Sequence, residues 1–348
     1  LERLGYVGAG SSSPPEDPWE RGGRDPKDMV ESFNRLQEVP TLLVNGRLEE
    51  AERTLAELRA EDPGNRDIVT KLALLARTRE RWDEASDWCR EAIRMDPDDV
   101  GARMNLASAL VRLEDRAGAR AEYQEVLARD SDNADAWGLL GSLLSEDGLH
   151  GDALLALERA VELAPEDAEL RAGLGKVLAD LGRGEAAREE YDRALELDRA
   201  LPSAVNGKAL LLAREGRPRD AVRMLRGAMP GLEKDLDTLN NLAWLLAEHS
   251  IDAAEALEVA GRARALAPDD PAVLDTWGWA AVRAGRGSEA LEPLERAWVA
   301  TRDAEVRAHL AAALAASGRE DDARRHARAA VSERAELSRI PEVAPLLR

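Results

Sequence analysis

The sequence predicts an all-α solenoid built from about nine helix-turn-helix repeats. Three observations predict it. Ala, Leu, Arg and Glu are abundant while aromatic residues make up only 3%, and such side chains lose little rotamer freedom on a helix. Apolar residues recur at offsets of three and four, which places them on one helix face. The whole pattern then repeats: Pro63, Pro97 and Pro165 stand at intervals of 34 and 68 residues, so the period is 34. Proline in a helix interior costs about 3 kcal/mol, so each of these ends a repeat.

The second helix of each repeat shows the pattern most plainly. GRLEEAERTLAELRAEDPGN (46–65), RWDEASDWCREAIRMDPDD (81–99), GLHGDALLALERAVELAPED (148–167) and GRGEAAREEYDRALELDRA (182–200) share one skeleton: a turn residue, an alanine five positions on, a larger apolar residue, then a helix stop. That alanine recurs as Ala51, Ala85, Ala119, Ala153, Ala187, Ala221, Ala256, Ala290 and Ala323. The first helix carries the complement, a large residue beside a small one: Leu72-Ala73, Leu106-Ala107, Leu140-Gly141, Leu174-Gly175, Leu242-Ala243 and Trp277-Gly278. Small side chains let two helices of a hairpin approach to about 8 to 10 Å. A coiled coil is excluded, because turn glycines and prolines break the pattern in every repeat.

The period, the Leu-Gly/Ala pair, the turn glycine and the closing proline together resemble the tetratricopeptide repeat (TPR). The resemblance implies a right-handed superhelix, with repeats beginning near Met29, Arg66, Val100, Ala134, Ala168, Pro202, Leu236, Pro271 and Ala304. Residues 1–28 are then a linker, 29–335 the array and 336–348 a capping segment, AELSRIPEVAPLLR supplying a last amphipathic turn or helix over the exposed end. Several departures are expected to have structural consequences. Pro40 should kink the first helix or delay its start, and Pro230-Gly231 should end a helix early and lengthen the connection that follows. One extra residue falls around His249-Ser250-Ile251, and Lys208 occupies a position that is usually apolar.

Composition and motif content exclude most chemistries. The net charge of −20 disfavours nucleic acid, whose phosphates need clustered Lys and Arg, and suits either a basic partner or solvated helix faces. No apolar run reaches the roughly 20 residues of a membrane span. One cysteine, Cys89, excludes an internal disulfide framework and a Cys-rich zinc site. It falls on an apolar helix position and reads as a packed thiol. His150, His249, His309 and His326 form no ligand pattern and read as turn or surface residues. Gly173-Leu174-Gly175 lies within a helix rather than after a strand, so no phosphate loop is expected. No catalytic set, metal site or cofactor is expected.

What remains is a surface for a protein or peptide. By the TPR resemblance, the first helices line a concave groove, and the matching positions hold Met104, Asn105, Ser108, Arg112, Ser142, Lys176, Asn206 and Arg214. They continue as Asn240, Asn241, Trp244, Asp275, Trp279 and Arg283. Amides, hydroxyls and guanidinium groups can hydrogen-bond an extended backbone and its acidic side chains. The Lys-then-Asn carboxylate clamp of chaperone-binding TPRs is not reproduced. Asn240/Trp244 and Asp275/Trp279 are matching pairs four residues apart. Their tryptophans either fill space between repeats or form a platform for a peptide side chain or a sugar ring.

The opening LERLGYVGAGSSSPPEDPWERGGRDPKD has a resemblance of its own. LERLGYVG is similar to the end of the catalytic domain in bacterial sulfatases of the alkaline-phosphatase superfamily, some of which continue through a Gly/Ser/Pro linker into a TPR array. The family's CxPxR signature is absent, since Cys89 is followed by Arg-Glu-Ala, as are its calcium-binding motifs. The resemblance therefore implies an accessory region whose catalytic domain lies upstream, in the periplasm or outside the cell, with that domain or its glycan substrate as possible partners. A free-standing array would instead be a cytoplasmic scaffold. The Trp-bearing repeats also resemble TPR proteins of bacterial envelope and exopolysaccharide export, and the Ala- and Arg-rich composition with few lysines fits a high-GC bacterial source.

Overall fold

Eighteen α-helices and no strand make up the described residues, 26–348 of a computed structural model. They form nine hairpins divided between two compact units, one ending at Pro165 and the other running Glu166–Arg348. The first unit contains α1 (Pro26–Val44), α2 (Leu48–Glu61), α3 (Arg66–Thr78), α4 (Trp82–Met95), α5 (Val100–Arg112), α6 (Arg116–Arg129), α7 (Ala134–Glu146) and α8 (His150–Leu163). The second contains α9 (Ala168–Asp180), α10 (Gly184–Leu197), α11 (Pro202–Arg214), α12 (Pro218–Leu232), α13 (Leu236–Glu248), α14 (Ala253–Leu266), α15 (Pro271–Arg283), α16 (Gly287–Thr301), α17 (Ala304–Ala316) and α18 (Glu320–Glu333). Odd-numbered helices open the hairpins and even-numbered ones close them. From α3 onward every opening helix starts at the residue the 34-residue period marks. LERLGYVG and the linker after it lie outside the described residues, and Pro26–Asp28, expected in the linker, already belong to α1.

Side chains at both ends of each opening helix set these boundaries. Asn65, Asp99, Asn133, Asp167, Asp235, Asp270 and Asp303 cap their N-termini by accepting backbone N–H bonds, as from Ala102 to Asp99 at 2.9 Å. Leu201 has no such side chain, and Pro202 stands at the first turn, where its missing N–H is harmless. At the other end, one residue of each hairpin turn takes a left-handed conformation: glycine at six positions, and Glu80, Glu114 and Ser250 at the other three. In the turn after α7, Gly148 N–H bonds Ser145 C=O at 3.1 Å and Leu149 N–H bonds Leu144 C=O at 2.9 Å. This pair of bonds satisfies carbonyls that the helix end would leave open.

The nine recurrent alanines are all 0% exposed. Ala153 shows the packing at such a position, facing Gly141 of the opening helix. Gly141 shows how close: a Cβ there would lie 2.7 Å from Leu157 Cγ and 3.3 Å from the Ala153 carbonyl oxygen.

Pro40 lies inside α1, which starts at Pro26 and continues to Val44, so the start of the helix is not delayed. The expectation about Pro230 needs correction: it lies inside α12, which continues to Leu232. The connection after α12 is consequently short, only Glu233–Asp235. Packing outweighs the proline penalty here: Leu232 is buried in the core of the second unit, and Arg262 donates to the Glu233 carbonyl at 3.1 Å. The extra residue near His249 is absorbed by Ser250, at φ 50°, followed by Asp252, which caps α14. Lys208 keeps its amine by pairing with Asp192. After α18 the chain forms two short 3-10 turns, Ala335–Arg339 and Ala344–Leu347, and buries Leu337, Val343 and Leu346 against the last hairpins.

Two expected outcomes follow in urea unfolding. Glu80→Gly and Glu114→Gly should each stabilise by roughly 0.5 kcal/mol, because a left-handed non-glycine residue costs about 1 to 2 kcal/mol and glycine's greater unfolded-state freedom offsets part of that. Gly141→Ala should destabilise by about 1 to 3 kcal/mol through overpacking.

Candidate functional site

The residues expected to line one groove are divided between the two units. In the first unit, Met104 is 7% exposed and belongs to the core, so it offers no surface. Asn105 is half-buried and accepts from the Arg77 guanidinium. The Ser108 hydroxyl donates to the Met104 carbonyl at 2.9 Å and also bonds the Tyr123 hydroxyl, whose pKa is pushed up by burial. Arg112 is exposed and lies 5.1 Å from the centre of the Trp82 ring, a cation–π contact. Ser142 is exposed on α7. One period before Asn105 stands Lys71, which sequence reasoning missed; burial lowers its pKa, opposed by the charge of Asp67.

In the second unit, Lys176 on α9 and Arg214 on α11 are exposed, at 59% and 62% of their side chains, and each lies 3.5 Å from Asp180. Asn206 is 8% exposed and donates to the Thr238 hydroxyl at 3.0 Å, tying α11 to α13. Asn240, Asn241 and Trp244 are half-buried on α13. Trp244 meets His249 edge-on, with ring centroids 6.2 Å apart.

A paired-indole platform is not present. Trp279 is 1% exposed, and its indole N–H donates to Glu248 at 3.0 Å. The reason lies in the next hairpin. His309 of α17 stacks on the Trp279 ring at 4.3 Å, and its Nδ1 lies 2.8 Å from the Asp275 carboxylate. His309, read from sequence as a surface or turn residue, is 1% exposed. Burial opposes its protonation, but Asp275, with Glu305 and Glu248 nearby, outweighs that and raises its pKa above 6.5. Arg283 lies over the Trp279 ring, 5.2 Å from its centroid, and is held by Glu342 and Ser250. Glu342 was not singled out in the sequence, and His309 was read there as an ordinary turn or surface residue. The available signal was the spacing of 34 between Asp275 and His309, one repeat period.

Nothing in this arrangement prepares a nucleophile. Burial pushes the Cys89 thiol up to about 12, so the thiolate is scarce at neutral pH. Among the described residues no cluster of three His, Cys, Asp or Glu side chains could hold a metal ion, and no helix is long and apolar enough to cross a membrane.

Two family models described as tetratricopeptide repeat match this chain, one over residues 36–100 and the other over 76–143 and 144–211, together about half its length. A TPR repeat-containing protein of Pseudomonas aeruginosa is 42% identical over 72 residues, a stretch covering 21% of this chain and 12% of that protein. Among solved structures, the APC/C hetero-tetramer Cut9–Hcn1 aligns at TM-score 0.61 and 16% identity, over 80% of this chain and 55% of that one. A tetratricopeptide repeat protein from Parabacteroides merdae aligns at 0.58 and 16% identity, over 70% and 97%. PilF of Pseudomonas aeruginosa aligns at 0.50 and 25% identity, over 62% and 96%. The first two likenesses are of fold.

The raised pKa of His309 makes stability depend on pH. Its contribution is fully present below the unfolded value of about 6.5 and is lost as pH rises through the folded value. The stability difference between wild type and His309→Gln, measured by urea unfolding, should therefore be largest below pH 6.5 and narrow as pH rises above it.

Proposed function

Because the chain belongs to the tetratricopeptide-repeat family, we propose that it is a non-catalytic scaffold binding a protein or peptide along the exposed faces of its opening helices. One observation carries this reading furthest. Lys176 and Arg214 stand on successive opening helices, more than half exposed, and converge on Asp180. In a chain of net charge −20 they form a local basic feature, followed by the amides of Asn240 and Asn241 and the half-open Trp244. Guanidinium and ammonium groups hydrogen-bond carboxylates, and amides bond an extended backbone. A peptide with acidic side chains fits this row. A sugar ring fits it less well, because the second indole is closed. The fold also occurs in Cut9–Hcn1, a hetero-tetramer, which supports a role in assembly.

A second reading rests on the LERLGYVG motif: the chain as the accessory region of a bacterial sulfatase. A CxPxR signature in the coding sequence upstream of Leu1 would support it, whereas a start codon or signal peptide directly before Leu1 would remove it.

The binding reading is tested by affinity capture with wild type and the Lys176→Glu/Arg214→Glu double variant. A partner held by wild type should be retained at least ten-fold less by the variant, with circular dichroism unchanged. Equal retention rules out this surface.

A further inference from the structure

We infer that residues 338–342 of the C-terminal segment, SRIPE, act as the protein's own ligand on the α15 and α17 faces, and that an external peptide with the same pattern, an apolar residue two positions before a carboxylate, competes for that place. The inference rests on the binding reading above and extends it to a different set of residues. Glu342 reaches back 59 residues to pair with Arg283 at the end of α15. Arg283 is one of the expected binding residues, and this pairing leaves its side chain only 11% exposed. Ile340 packs against the apolar cluster that contains Trp279 and Ala312. Ala312 and His309, on α17, are 3% and 1% exposed. A segment of the chain thus supplies both the apolar and the acidic contact that this face can accept.

Three features distinguish this segment from a fixed cap. Pro341 and Pro345 keep it out of a continuous helix, so it is held by side chains and a few turn bonds instead of a full backbone ladder. The Arg283 contact is to one carboxylate oxygen, and the other, Glu342 Oε2, is buried without a hydrogen-bond partner. A buried acceptor left unpaired is unfavourable, so a ligand that pairs both oxygens can displace this one. Finally, the lasting apolar anchors, Leu337, Val343 and Leu346, sit to either side of the Ile340–Glu342 contact, which allows local opening without loss of the last hairpin.

The probe is the synthetic peptide ELSRIPEVAPLLR, fluorescently labelled and titrated by anisotropy against full-length protein. Binding should be at least ten-fold tighter to the Ile340→Ala/Glu342→Ala variant than to wild type, and Arg283→Ala added to that variant should abolish the gain. Equal affinity for wild type and the double variant, or no binding to either, overturns the proposal. Should the double variant unfold, Glu342→Gln and hydrogen exchange of the wild-type chain decide the matter. The amides of Ser338, Arg339, Ile340 and Glu342 should exchange at least ten-fold faster than those of α17, and faster still in Glu342→Gln; exchange in step with α17 marks a fixed cap and overturns the proposal. Loss of partner capture in the Lys176/Arg214 variant is independent of either result.

Discussion

The contact between a small residue on one helix and the closing helix of its hairpin is what the rest of the molecule depends on. Nine alanines spaced about one period apart are completely buried, and at Gly141 there is no room even for a methyl group. Helices that approach this closely bury their larger neighbours, such as Leu55, Leu157 and Leu225, on both sides of the contact. The hairpin is therefore the packing element, and each unit is made by repeating it. Surface ion pairs add little. Arg59 with Glu91, Arg226 with Glu255 and Arg296 with Asp269 link neighbouring hairpins, but exposed pairs of this kind are worth about 0 to 1 kcal/mol each.

The hairpin boundaries were legible because each depends on nearby residues. An aspartate or asparagine cap, a left-handed turn residue and a proline just past the helix end are all local signals, and eight opening helices begin where the period places them. The misreadings came where distant packing overrode a local preference. Pro230 reads as a helix end, yet Leu232 is buried by residues far along the chain and keeps α12 helical. The division into two units near Pro165 was not legible either, since the period passes through it unchanged.

The site was less legible than the fold, and the tryptophans show why. Spacing assigns Trp244 and Trp279 to the same position in successive repeats, but it cannot say what faces them. Trp279 meets His309 from the next hairpin and closes; Trp244 packs on the core and meets His249 edge-on but stays half-open. Elsewhere tryptophan joins hairpins through arginine. Arg307 lies over Trp298, and Arg264 over Trp277. With one Phe and three Tyr in the chain, the indoles provide most of the broad apolar surface available for such joints.

The same reasoning explains why the exposed part of the opening-helix face is narrow. A position on that face stays open only if neither the following hairpin nor the C-terminal segment supplies a partner for it. Around α15 and α17 both do: His309 takes Asp275 and Trp279, and Glu342 takes Arg283. Around α9 and α11, Lys176 and Arg214 each lie 3.5 Å from Asp180 and keep more than half of their side chains in solvent. Which polar residues of the opening helices reach solvent in the second unit is thus set less by what the repeats carry than by what the rest of the fold covers.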